Sequence, residues 1–124
     1  RRIHEWIQLA FAELKIETEL APCCKKTLPG QCFAGHEKFD LLWRGKKIAG
    51  AAQRRNKSGL LIQGSIQPPP VSPERVDFEK AMVEVARKNF NAAWREFFLD
   101  EVFRARAEML AREKFSRDDY NRKR

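Results

Sequence analysis

Lys47 stands at the entrance to a run of very small residues, Ala49-Gly50-Ala51-Ala52, inside a stretch, residues 39–67, that reads as three short strands. A lysine beside backbone N–H groups that no bulky side chain covers is suited to holding an anionic oxygen. Gly50 and Gly64 both fall within strand-like runs. Glycine weakens a strand, so a ligand or a second backbone is expected to approach closely at those two positions. A different chemistry is available at Cys32. It lies in a segment without periodicity that contains Pro29-Gly30, and is therefore a loop residue. A loop thiol is either a nucleophile or a small hydrophobe, and its residue type leaves both open. His36, in the sequence just after that loop, could act as a base only if the fold brings it to the site.

These residues need a scaffold, and the pattern supplies one. Residues 39–44 are apolar and aromatic-rich and end at Gly45. Residues 47–55 follow, then the turn chemistry of Asn56-Lys57-Ser58-Gly59, then the apolar run 60–67. Upstream, Ile3, Trp6, Ile7, Ala10, Phe11 and Leu14 have the spacing of one helix face over residues 3–14, with His4 beside the stripe and expected at the surface. That helix begins almost at residue 1 without a capping residue, which is the pattern of a fragment or a processed product. Residues 16–20 alternate as a strand ending near Pro22.

Pro68-Pro69-Pro70 cannot join a ladder, so residues 68–73 form a connector between sheet and C-terminal helices. Ser72-Pro73-Glu74 opens a helix whose stripe is Phe78, Met82, Val85, Ala86 and Phe90. A second helical run over 91–98, with Ala92, Trp94, Phe97 and Phe98, is expected to bury an aromatic face, and a last helix covers about 100–115. The expected class is α+β: a small mixed or antiparallel sheet with helices packed on it.

The totals narrow the function classes. A chain of 124 residues is one domain at most, and its 43% hydrophobic and 34% charged content is that of a globular chain. No run approaches the ~20 apolar residues of a membrane span. The net charge of +8 fits an acidic partner as well as a solvated basic surface. Arg54-Arg55-Asn56-Lys57 is the densest basic patch, but it lacks the interleaved aromatics of a single-strand binder, so nucleic acid is set aside. Cys23, Cys24 and Cys32 make no Cys-x-x-Cys pair. They fit a reducing, cytoplasmic compartment and offer no zinc-ligand spacing, so no metal site is expected.

Gly45-Lys46-Lys47-Ile48-Ala49-Gly50-Ala51-Ala52-Gln53, followed by Leu60-Leu61-Ile62-Gln63-Gly64-Ser65-Ile66, resembles the signature of the lipoate–protein ligase and octanoyltransferase family, which is related to the biotin–protein ligases. Glu101, Ala107, Leu110, Glu113-Lys114-Phe115 and Tyr120-Asn121 resemble the family's closing motif. The likeness runs from the first helix to the end and is strongest over 32–67 and 101–121. It implies that residues 1–124 form the C-terminal half of a biotin/lipoate protein ligase-like catalytic domain. The family's earlier segment, with paired arginines, a Gly-Gly turn and usually a histidine, has no match here. The resemblance therefore implies little turnover by this chain alone unless another chain supplies that half.

The same resemblance assigns roles. Cys32-Phe33 is similar to the Cys-Phe of the octanoyltransferase branch, whose thiol carries the acyl group. Lys47 would hold the acyl carbonyl, and Gly50, Ala51, Gly64 and Ser65 would line the acyl channel. Phe39-Asp40-Leu41 stands where the ATP-using ligases carry Asn-Asp-Leu against the adenylate. With Phe in place of Asn it is nearer the transferase pattern, and Asp40 is retained either as a substrate contact or as a solvent-side strand residue. Ile62-Gln63 replaces the histidine that many members place before the glycine, which leaves no obvious base on the third strand.

The implied reaction moves an octanoyl or lipoyl group from an acyl carrier protein to a lysine of an acidic lipoyl-domain protein through a cysteine thioester, without a cofactor; free lipoate would enter only by an ATP-dependent route. The alternative within the family is the ligase reaction through an acyl-adenylate, with ATP and Mg. A non-catalytic binding module for a carrier protein or nucleic acid is the alternative outside it.

Overall fold

The computed structural model describes residues 1–25, 35–71 and 73–122. They divide into two compact units, Arg1–Ala92 and Ala93–Arg124. The larger holds helix α1 (Arg2–Glu13), strands β1 (Glu19–Leu20), β2 (Leu41–Trp43), β3 (Lys46–Asn56) and β4 (Gly59–Ile66), and helix α2 (Arg75–Phe90). The strands form one sheet in the order β1-β2-β3-β4, with every neighbour antiparallel. The class is α+β with an antiparallel sheet.

Each element follows from local chemistry. The β3–β4 hairpin turns where the sequence requires it: Asn56 pairs with Gly59, and its side-chain oxygen accepts from the backbone N–H of Ser58 and of Gly59. Helix α2 ends at Asn91, which adopts the left-handed conformation at φ 52°, with the Ala92 N–H returning to the Ala86 carbonyl. The expected serine cap of α2, Ser72, lies outside the described residues; Glu74 occupies the cap position without a side-chain cap bond.

The core of this unit is a layer of helices on the sheet. Ile7, Phe11 and Ile16 meet Leu41, Ile48 and Ala49, while Ala10 of α1 packs on Ala81 and Val85 of α2. Phe11 and Phe78 stack with centroids 4.7 Å apart, and the Trp6 indole donates to the Met82 carbonyl at 2.8 Å, which fixes the two helices against each other.

Several expectations change. The strand read over 16–20 is reduced to Glu19–Leu20, because Gln8 of α1 takes the Thr18 carbonyl as its acceptor. The strand read over 39–44 is only Leu41–Trp43, since Phe39 and Arg44 have positive φ (72° and 48°).

The smaller unit contains α3 (Glu101–Leu110), a π-helical turn (Ala111–Phe115) and α4 (Asp118–Asn121). Asp100 caps α3 by accepting from the Phe103 N–H at 2.7 Å. The helix expected over 91–98 does not form, and residues 92–100 are irregular. Its aromatic residues are not buried either: Trp94, Phe97 and Phe98 are exposed, Phe98 at 81%. Aromatic density there does not mark an inward face, because no helix periodicity organises it. No helix of the described residues is long and apolar enough to cross a membrane.

Candidate functional site

The site is assembled where β2 begins and β3 departs from regular geometry. Leu42 pairs with Lys47, but Leu41 pairs with Ala49, so β3 carries one extra residue, Ile48. In a regular strand residues three apart point to opposite faces. The bulge resets that alternation and sends the Lys47 side chain over Gly50. A Cβ at Gly50 would lie 2.6 Å from Lys47 Cε and 2.8 Å from Nζ. The glycine is required because the lysine lies across it.

Asp40 completes the arrangement. Its Oδ2 sits 2.7 Å from Lys47 Nζ and accepts from the Glu37 N–H at 2.8 Å. The two side chains are 6% and 13% exposed, so this is a buried, charge-assisted pair. Asp40 is thus not a solvent-side residue. The turn that delivers it is unusual: Phe39 holds a left-handed backbone, and its ring meets the Arg1 guanidinium and the Lys38 ammonium, 5.4 Å and 5.1 Å from the centroid. A non-glycine residue there costs on the order of 1 kcal/mol or more, and such strain is commonly kept where it orients a neighbour.

Gly50 pairs with Ser65, and Ala51 with Gly64. Cross-strand partners share a face and adjacent residues alternate. Gly50 and Ser65 therefore lie on the face over which Lys47 projects, and Ala51 and Gly64 on the other, farther along from core residues Ala49 and Ile66. The channel residues named from sequence do not converge on one surface. At Gly64 the close neighbour is backbone: an added Cβ would come within 3.2 Å of the Gly50 carbonyl oxygen. Cys32 lies outside the described residues. Cys23 and Cys24 are exposed and unbonded.

His4 is the residue that the sequence reading missed. It is buried, not at the surface, and neither ring nitrogen has a hydrogen-bond partner among the described residues. The Phe39 backbone lies close to the ring without completing a bond of good geometry. Burial holds the imidazole pKa below its ordinary value of 6.5, against the Phe39 backbone and the Asp40 carboxylate, which favour the proton; Lys47 adds to the lowering. The signal was present in the spacing, since His4, Ile7 and Phe11 fall at i, i+3 and i+7 on one face. His36 pairs by its backbone with Lys25 in an isolated bridge.

A cavity of about 550 Å³ opens at the β1 edge, with Lys15, Glu17, Glu19, Trp43 and Arg44 in its wall; none of the site residues named from sequence lines it. Among the described residues, no group of three or more His, Cys, Asp or Glu side chains could hold a metal ion.

No family model and no curated sequence matches the chain. Solved structures do. A T. acidophilum protein, Ta0514, described as a lipoate protein ligase and carrying lipoic acid, superposes with a TM-score of 0.74 at 16% identity, over 95% of this chain and 55% of its own. Lipoate–protein ligase A bound with ATP superposes with a TM-score of 0.76 at 17% identity, over 95% and 56%. The fold is shared with lipoate–protein ligases. This chain spans about half the length of those structures, as the motif resemblance implies for half of a catalytic domain.

Proposed function

We propose that this chain is the acyl-handling half of a lipoyl or octanoyl transferase. The observation that supports this best is the buried Lys47–Asp40 pair laid over Gly50, on a fold shared with lipoate–protein ligases. An ammonium fixed by a carboxylate in a low-dielectric setting is already oriented when a carbonyl oxygen reaches it, so it stabilises charge developing on that oxygen without reorganising. Cys32 supplies the nucleophile. Its thiolate attacks the donor thioester, the donor's C–S bond breaks, and the donor leaves as a thiolate that takes a proton from solvent. The neutral amine of an acceptor lysine then attacks the Cys32 thioester, the amide forms, and Cys32 leaves as thiolate while the amine proton passes to solvent.

The donor in this reading is an acyl carrier protein that bears the acyl group as a thioester; free lipoate would be the substrate of the ATP-dependent reading. The acceptor is an acidic lipoyl-domain protein, drawn by the +8 charge, and the compartment is the reducing cytoplasm. The ATP-dependent reaction is the second reading, favoured by the fold's likeness to a ligase that binds ATP. There Lys47 would meet the acyl-adenylate and Cys32 would be a bystander.

Incubation with an octanoyl thioester followed by peptide mass spectrometry separates them. The transferase reading expects an added octanoyl mass on the Cys32 peptide without ATP. Acyl transfer that occurs only with ATP, with Cys32 unmodified, would decide for the ligase.

Gly50→Ala gives an independent check of the lysine. The new methyl meets the far end of a flexible side chain, so the ammonium moves and the backbone stays. Transfer is expected to fall by roughly 10- to 100-fold, because displacement of about 1 Å is enough to lose that much. The melting temperature should fall by less than in Lys47→Met, because the ammonium keeps its charge and stays near Asp40. Thermal unfolding and transfer rate, measured side by side, test this; an unchanged rate would show that the position of the ammonium is immaterial.

A further inference from the structure

His4 is an imidazole 6% exposed, with both nitrogens unpartnered among the described residues, on the first turn of α1 and close to the Phe39 backbone of the turn that presents Asp40. Buried polar groups without partners are rare in native proteins and call for an explanation. Among the described residues, the charged side chains that act on this ring are the Asp40 carboxylate from the turn before β2 and the Lys47 ammonium from β3. Arg1 is engaged with Glu5, at 2.7 Å, and Lys38 lies over the Phe39 ring.

We propose that His4 is a positioning residue for Lys47: as a neutral ring it leaves the Asp40 carboxylate to the ammonium, and on taking a proton it becomes a second cation that draws Asp40 and repels Lys47. Asp40 is the shared partner in this device: its carboxylate holds Lys47 Nζ at 2.7 Å and also acts on the His4 ring. The direction follows from linkage. A buried histidine with a lowered pKa contributes stability fully above pH 6.5, and that contribution is lost as the pH falls through its folded value, where the ring is forced to charge. In that window the native unit relieves the new charge most cheaply by handing it the carboxylate that Lys47 now holds. The consequence for catalysis rests on the transferase reading; the coupling itself does not.

The chain has two histidines, His4 and His36, so the imidazole NMR signals are assigned by the one lost in His36→Gln. The expected result is that the Lys47 side-chain signal shifts with the same midpoint as the His4 ring, while the β3 and β4 backbone amides persist, and that this shift is absent in His4→Gln. A Lys47 signal that stays fixed through the His4 titration, or that moves only as the β3 and β4 amides disappear, overturns the proposal. If His4→Gln does not fold, the coincidence of midpoints in the parent chain decides alone. Octanoyl capture at Cys32, followed over the same pH range, keeps the two readings apart. With the missing half of the domain supplied, coupled signals with no capture at any pH would remove the transferase reading and leave the positioning role; capture with uncoupled signals would do the reverse.

Discussion

Lys47→Met, assayed with the missing half of the domain supplied, is expected to reduce acyl transfer by about 10²- to 10³-fold, the usual cost of deleting one preorganised group that stabilises a developing oxyanion. It should also cost stability. Asp40 is buried, and without the ammonium it keeps the Glu37 N–H as its described hydrogen bond. Removing one partner of a buried ion pair typically costs about 3–5 kcal/mol, because the remaining charge stays out of water without compensation. Methionine keeps most of the lysine's length and apolar bulk, so the loss is one of charge and not of packing.

The double variant Asp40→Asn/Lys47→Met distinguishes this from general damage. Asparagine still accepts from Glu37 and carries no charge, so the pair of changes should recover much of the single variant's loss in urea unfolding. Additive losses in the cycle would mean that the two side chains do not depend on each other. Activity is not expected to recover in the double variant, since the cation is still missing.

Cys32→Ser should have the larger effect on rate. In the thioester route it removes the group that carries the acyl chain, and losses on the order of 10⁴- to 10⁶-fold accompany deletion of a covalent nucleophile. Serine is not a substitute. Its hydroxyl is a much weaker nucleophile near neutral pH, whereas a thiol is partly ionised and intrinsically reactive. Cys23→Ser and Cys24→Ser are the matched controls, as both thiols are exposed and play no part in the route; their rates should stay near the parent's. A Cys32→Ser protein that transfers acyl groups at the parental rate would remove the covalent route and leave the adenylate chemistry.

Much of the arrangement was legible in the residues, for identifiable reasons. Small residues and turn formers act locally. Asn56 bonds the backbone two and three residues on, which is why the hairpin falls where the sequence reads it. The apolar stripes of α1 and α2 are set by helical period alone, so Ile7, Phe11, Val85 and Ala86 are inside as their spacing requires. The small run after Lys47 identifies a place where something must come close, and at Gly50 that something is the lysine itself.

What the residues did not determine depends on neighbours distant in sequence. The extra residue at Ile48 is invisible to a two-residue alternation, yet it alone brings Lys47 over Gly50 while Ala51 and Gly64 turn to the other face. The meeting of Asp40 with Lys47 requires the strained turn at Phe39, which no propensity favours in an aromatic residue. His4 reads as a polar residue at the edge of a stripe until the turn closes over it. The aromatics of 94–98 show the converse: hydrophobic content without a period does not specify which side faces inward. Sequence decides what is local because propensity and period act over a few residues; burial and charge pairing are decided only when distant segments exclude water together.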